Sequence, residues 1–279
     1  MVCVAAIQMV SGDNIDTNLE VTQSLVKGAT EQGAQLVVLP ENFALFSTVK
    51  LQQAGIQEIE SAGPIRSFLS NLARNNKVWI VAGSVPVAAR PDGHLLENHV
   101  RAACFVYDDQ GNEVCRYDKI HLFDVDVADS YGSYRESDAI EPGERVQVVE
   151  TPFGRLGLSI CYDLRFPELF RLLSDKGAEI ITLPSAFTAV TGMAHWEVLL
   201  RARAIENLCY IVGANQGGRH SKSRETFGHS MIVDPWGRVL AQKDKGAGVV
   251  LADINMEYLK EIRVRMPVAK HQRLRMRVE

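Results

Sequence analysis

No CxxC pair occurs in this chain of 279 residues, and its five cysteines stand apart at positions 3, 104, 115, 161 and 209. They form no even framework of the kind that staples small secreted domains, so free thiols in a reducing, cytoplasmic setting are the expectation. Also missing is any apolar run near the roughly 20 residues that span a bilayer, so no membrane partner is expected. Val2 to Met9 is apolar, but it has no basic stretch before it and soon meets Asp13. It reads as a first strand and not as a secretion signal. Positive charge is not in excess: the net charge is −4, which argues against a nucleic-acid surface, although a short basic run covers Lys270 to Arg277. The seven histidines show no HExxH or i,i+4 ligand spacing, so no metal and no other cofactor is expected.

What is present is ordinary for a globular protein: 46% hydrophobic and 23% charged residues, enough to bury a large core. Val4 to Met9 reads as a buried strand, Asn18 to Glu31 as an amphipathic helix, and Leu36 to Leu39 as a second strand. A helix over Gly63 to Asn75 leads to a strand over Val78 to Val85. Pro86 to Leu96 reads as a loop, and His99 to Tyr107 as a strand. Leu122 to Arg145 has little periodicity, and a structureless loop of that length is usually functional. Val146 to Val149 and Leu156 to Ile160 read as a hairpin about Phe153-Gly154-Arg155.

The second half repeats the first. Residues 32–43 line up with 176–187, residues 76–81 with 207–212, and the turn before Lys119 with Asp234-Pro235-Trp236-Gly237-Arg238 before Lys245. On this alignment Ser185 answers to Glu41, Lys245 to Lys119, and Gln8 to Cys161. Two βαβ-type halves, each a buried sheet with helices on one face, predict an α/β fold: a four-layer α-β-β-α sandwich with an internal pseudo-twofold. No Pro/Ser-rich linker separates the halves, so residues 1–254 read as one domain. Residues 255–279 read as a C-terminal extension packing on that domain or on a partner subunit.

Cys161 falls where a strand ends and a helix, opened by Pro167, is about to begin. A thiol there is expected to feel the helix N-terminus and to favour the thiolate. Glu41 also follows a strand, the place where open α/β sheets gather their ligands. Lys119 closes a hairpin, and Glu136 sits in the long polar loop. His121 and His195 flank apolar residues and read as structural groups, and a glutamate can serve as the base for a cysteine nucleophile only if its pKa rises. An unperturbed Cys and Glu differ by about 4 pKa units, so proton transfer between them is uphill by roughly 5–6 kcal/mol unless the site closes the gap. Lys119 is expected to help the thiolate and, with the Tyr162 N–H, to stabilise an oxyanion.

Leu39-Pro40-Glu41, Tyr117 to Asp124 and Ile160 to Phe166 resemble, in order, the three Glu-Lys-Cys motifs of the nitrilase superfamily, the carbon–nitrogen hydrolases. The similarity runs from residue 2 to about 273. It implies the four-layer sandwich, Glu41 as general base, Lys119 as oxyanion stabiliser, and Cys161 as the nucleophile that forms a thioester. It also implies Glu136 as a second glutamate positioning substrate and lysine, and a homo-oligomer built by packing sandwiches together; a homodimer or higher homo-oligomer is the expected state. Within the superfamily the chain is most similar to the Nit branch. The stretch Thr191 to Glu206 is shared there by amidases of deaminated glutathione and of 2-oxoglutaramate, and the features around Gly218-Arg219-His220, 228–237 and 266–273 resemble the first kind. Asn42 and Phe43 depart from the usual pattern of animal members. The expected partner is therefore a small linear amide with a 2-oxo dicarboxylate acyl group, with Tyr162, Arg165 and Thr191 binding it and Arg165 clamping a carboxylate. A nitrile is the alternative substrate for the same triad.

Overall fold

The computed structural model describes residues 1–274; the end of the basic run and of the expected extension, 275–279, lies outside the described residues. In chain order the first half contains β1 (Val2–Gln8), α1 (Ile15–Glu31), β2 (Leu36–Val38), α2 (Leu51–Gln57), α3 (Pro64–Asn76), β3 (Trp79–Val81), β4 (Val85–Val87), β5 (Arg101–Tyr107) and β6 (Glu113–Asp118). A small ribbon, β7 (Asp124–Asp126) and β8 (Ser133–Arg135), precedes the second half. That half contains β9 (Val148–Thr151), β10 (Gly154–Leu158), α4 (Pro167–Asp175), β11 (Ile180–Ser185), α5 (Ala189–Asn207), β12 (Tyr210–Asn215), β13 (Ser230–Val233) and β14 (Val239–Lys243). The chain then returns in β15 (Gly248–Ile254) and continues into α6 (Met256–Arg265) and α7 (Val268–His271).

Among the described residues, one sheet has the order β15-β1-β2-β3-β5-β4 with β6 on β5, and the other the order β14-β13-β12-β11-β10-β9. Alternation along each strand assigns the layers, because successive side chains point to opposite faces. Val4, Ala6, Leu36, Val38 and Val81 share a core with the second sheet. Their neighbours Ala5, Ile7, Val37, Leu39 and Ile80 pack on Val26 and Ala29 of α1 and on Ile65 and Leu69 of α3. On the opposite side, α4 and α5 cover the second sheet with Leu169, Leu173, Trp196 and Leu200. Central strands buried on both faces carry unbroken apolar runs. The result is the expected four-layer α-β-β-α sandwich.

The repeat holds residue by residue. Leu36 pairs with Trp79 in parallel, and Ile180 pairs with Tyr210 in parallel. The hairpins β5–β6 and β13–β14 each carry a register shift at matching places, Val106/Tyr107 and Ile232/Val233. Their turns use the same device: Asp108 Oδ1 accepts from the N–H groups of Gln110 and Asn112, and Asp234 Oδ1 from those of Trp236 and Arg238. One equivalence needs correction. Val4 pairs with Leu36 and Leu156 with Ile180, which makes Met9, not Gln8, the counterpart of Cys161.

Three local expectations also change. The strand over Val78 to Val85 breaks into β3 and β4, because Gly83 takes φ +55° and presses so closely on Pro40 that a Cβ would lie 2.1 Å from its carbonyl oxygen. Pro86, read as the start of a loop, lies within β4, paired with Ala102. The long polar loop contains the β7–β8 ribbon and a 3₁₀ turn over Glu136–Asp138, all too short to leave a periodic signature. After β15, α6 buries Leu259 and Ile262, and Arg263 donates to the carbonyls of Leu208 (2.9 Å) and Ala178 (2.7 Å).

The symmetry leaves Lys245 at the surface, 3.0 Å from Glu225, where Lys119 is buried. Lys245→Ala is expected to change stability by less than about 1 kcal/mol in denaturant unfolding, the range of exposed ion pairs.

Candidate active site

The site forms where three connections leave the two sheets. After β2, Leu39 stays extended, its N–H bonded to the Val81 carbonyl at 2.9 Å. The chain then turns sharply at Asn42, whose φ of +57° suits asparagine better than most side chains. The Asn42 N–H donates to Ser84 Oγ at 2.8 Å, and Gln216 Nε2 donates to the Glu41 carbonyl at 3.0 Å. Glu41 is thereby pinned from both sheets. Lys119 directly follows β6; its N–H donates to the Ala102 carbonyl, and its own carbonyl accepts from Gly143. Glu136 begins the 3₁₀ turn after β8, with Oε2 accepting the Phe123 N–H at 2.6 Å.

Cys161 heads a 3₁₀ turn over Cys161–Arg165 that lies between β10 and α4. Its φ is +47°, a conformation that costs a non-glycine residue roughly 1–2 kcal/mol. Asp163, fully buried, holds this elbow in place. Its Oδ2 accepts from the Ile160 N–H (2.8 Å) and the Tyr117 hydroxyl (2.7 Å), while Oδ1 accepts the His121 N–H (3.1 Å) and faces His121 Nδ1 (2.7 Å). One carboxylate therefore ties the cysteine turn to the lysine strand. His121 is the structural group expected, stacked on Phe166 at 3.7 Å.

The structure brings Glu41, Lys119, Glu136 and Cys161 together. Lys119 Nζ lies 2.7 Å from Glu41 Oε1 and 2.7 and 2.8 Å from the two oxygens of Glu136. Lys119 is 1% exposed and Cys161 7%. Burial opposes the lysine's charge, but Glu136 and Glu41 outweigh it and hold its pKa well above the ordinary value. Burial likewise pushes the Glu136 carboxyl up, against the pull of Lys119. The expected low thiol pKa is reversed. Burial first, and the charge of Glu41 second, push the Cys161 thiol well above its usual range, against Lys119 and the Ala186 N–H. Desolvation penalises the thiolate more than a short turn's N-terminus helps it.

These four residues line one cavity of about 340 Å³, whose walls include Tyr162, Thr191, Phe46, Tyr134, His220 and Arg224. Arg165 is not part of the wall. Its guanidinium lies over the rings of Tyr162 and Phe187, both of which line the cavity, with Nη1 3.2 Å from His195 Nδ1. Asp163, Ser84 and Gln216 escaped the sequence reading because their partners are remote in the chain. Asp163 alone had a signal, its place two residues after Cys161.

Residues 3–264 match the family Carbon-nitrogen hydrolase. The chain belongs to the carbon–nitrogen hydrolase family. Over 270 residues it is 45% identical to the deaminated glutathione amidase of Yersinia enterocolitica, covering 97% of this chain and 92% of that protein. It superposes on Saccharomyces cerevisiae Nit3, a member of branch 10 of the nitrilase superfamily, with a TM-score of 0.86 and 30% identity over 98% of this chain and 97% of Nit3. A mutant amidase from Nesterenkonia sp. AN1, carrying the Michael addition product of acrylamide at its active-site cysteine, aligns with a TM-score of 0.78 and 25% identity over 97% of this chain and 100% of its own. As a carbon–nitrogen hydrolase, this protein is an amide-hydrolysing enzyme.

The thiol's environment in this hydrolase has a measurable consequence. Alkylation of Cys161 by iodoacetamide, followed by peptide mass spectrometry, should accelerate with pH only above the ordinary cysteine range. Glu41→Gln should move that onset down, because a negative neighbour is lost, and Lys119→Met should move it up. A Cys161 onset at or below that of an unstructured thiol would contradict the electrostatics described here.

Proposed function

We propose that this enzyme is a thiol amidase that hydrolyses deaminated glutathione to 2-oxoglutarate and Cys-Gly through a thioester on Cys161. The observation that carries the reading is the buried Glu41–Lys119–Glu136 cluster against Cys161 on one cavity wall. The substrate's identity is supported by the name of the Yersinia relative.

In this mechanism Glu41 takes the thiol proton as Sγ attacks the amide carbonyl. The transfer occurs inside a cluster whose total charge does not change, so burial does not oppose it as it opposes net ionisation. The resulting oxyanion is held by Lys119 Nζ and the N–H of Tyr162, one of the first N–H groups of a turn, which lack an intrahelical acceptor. Glu41 returns its proton to the leaving amine as the C–N bond breaks, and Cys-Gly departs. A water molecule, deprotonated by Glu41, then attacks the thioester; the acyl group leaves as the carboxylic acid, and the thiol is regenerated. Glu136 keeps Lys119 charged and aimed, and Tyr162 and Thr191 line the acyl-binding space.

The hydrolase unit is read as residues 1–254, with 255–279 as an extension whose α6 packs back on the second half. The protein is read as a cytoplasmic homo-oligomer. Met193 (78% exposed) and Val198 (67% exposed) give the outer side of α5 an uncovered apolar surface suited to a second copy. Light scattering should report a dimer or larger species that Met193→Asp with Val198→Asp shifts toward monomer; a monomeric wild type would end this reading.

Cys161→Ala and Cys161→Ser should abolish turnover with the fold intact, and intact-protein mass spectrometry should trap an acyl adduct on Cys161 in the wild type. Lys119→Ala should lose at least about 100-fold, the scale for one oxyanion donor. An adduct on Cys3, Cys104, Cys115 or Cys209, or stronger turnover of 2-oxoglutaramate or a simple nitrile than of deaminated glutathione, would displace this assignment.

A further inference from the structure

Among the described residues, the cavity wall contains one cation with no salt-bridge partner. Lys119 is held by Glu41 and Glu136. Arg135 pairs with Asp126 at 2.9 Å and also donates to the carbonyls of Val125 and Tyr134. His220 bonds to the Ser11 carbonyl and to Thr226 Oγ1, and burial lowers its pKa to about 4, so it sits there neutral. Arg224 differs. Its Nη1 is buried with no hydrogen-bond partner.

The surroundings of Arg224 are mainly aromatic; Asp129 feels its charge, but among the described residues no carboxylate forms an ion pair with it. Its guanidinium lies 4.5 Å from the centre of the Tyr134 ring, 5.6 Å from Phe46 and 5.9 Å from Tyr131. The nearby acids are engaged elsewhere. Asp129 Oδ1 accepts from the N–H groups of Tyr131 and Gly132, and its Oδ2 from the Tyr134 hydroxyl. Glu225 faces Lys245 and Arg219. Ring faces partly offset the desolvation of a guanidinium, but they supply no acceptor for the buried Nη1. A buried charged donor without an acceptor is costly, and an entering carboxylate would supply one.

We propose that Arg224 binds a carboxylate of the substrate, fixing an acidic linear amide in the cavity while its carbonyl meets Cys161. This rests on the amidase reading above and deepens it. Deaminated glutathione offers two such groups, the 2-oxo acid carboxylate on the acyl side and the glycine carboxylate on the leaving side. Both present the planar pair of oxygens that a guanidinium fork matches.

The test compares wild type, Arg224→Gln and Arg224→Lys on deaminated glutathione, 2-oxoglutaramate and the neutral glutaramide. Arg224→Gln should lower the ratio of kcat/KM for acidic over neutral amides by about 10- to 100-fold, mainly through KM, and Arg224→Lys should recover part of it. Loss on both acidic amides places Arg224 on the acyl carboxylate; loss on deaminated glutathione alone places it on the glycine carboxylate. An equal loss on all three amides, or none, overturns the proposal and leaves Arg224 as an aromatic-boxed strut. Should the wild type cleave none of the acidic amides, the function reading fails separately. The inference is then decided by whether glutarate slows alkylation of Cys161 in wild type but not in Arg224→Gln: protection lost with the arginine supports it, and equal protection or none overturns it.

Discussion

One ammonium group shared by two buried carboxylates is the constraint on which the rest of this site depends. Lys119 is almost fully enclosed, and removing an ammonium from water is tolerable only if opposite charge stands in the first contact layer. Glu41 and Glu136 supply it at 2.7 Å, one from the turn after β2 and the other from the ribbon between the two repeats. Neither carboxylate could be buried there alone, and together they leave the cluster with one negative charge in excess. Burial, and then the charge of Glu41, hold the Cys161 thiol in the same enclosure well above its usual pKa.

The backbone around the cluster is correspondingly specialised. Cys161 and Asn42 both adopt left-handed conformations at the ends of parallel strands. Such conformations persist when surrounding contacts over-determine them. For Cys161 the contact is Asp163, which gathers the Ile160 N–H, the Tyr117 hydroxyl and the His121 backbone on one buried carboxylate. For Asn42 it is Ser84, made available by the break in the sheet at Gly83. The irregularities of the first sheet are thus part of how the site is held.

Internal symmetry shows how little of the scaffold is chemical. The second half reproduces the strand registers, the hairpin bulge and the aspartate turn, but it has Ser185 and Lys245 where the first half has Glu41 and Lys119, while the first half has Met9 where the second has Cys161. A lone ammonium with neither base nor nucleophile can stabilise charge but not create it. The β7–β8 ribbon, which delivers Glu136 and the Tyr131 and Tyr134 rings beside Arg224, lies between the two repeats and has no counterpart within either.

The layers, the repeat and the grouping of Glu41, Lys119, Glu136 and Cys161 were all legible in the chain. Buried parallel strands write themselves as apolar runs, and the family motifs carry their residues in order. Thiol ionisation was not legible, because position beside a turn predicts a lower pKa while burial and Glu41, both tertiary facts, raise it. Nor were Asp163, Ser84 and Gln216 as supports, since a hydrogen bond between distant segments leaves no local pattern. Arg165 and Arg224 make the clearest contrast. Adjacency to the cysteine motif favoured Arg165, yet the fold sets its guanidinium over the rings of Tyr162 and Phe187 beside His195, not among the residues of the cavity wall. Arg224 enters the cavity from a loop more than sixty residues further along the chain, and only the packing of Phe46, Tyr131 and Tyr134 around its guanidinium marks it.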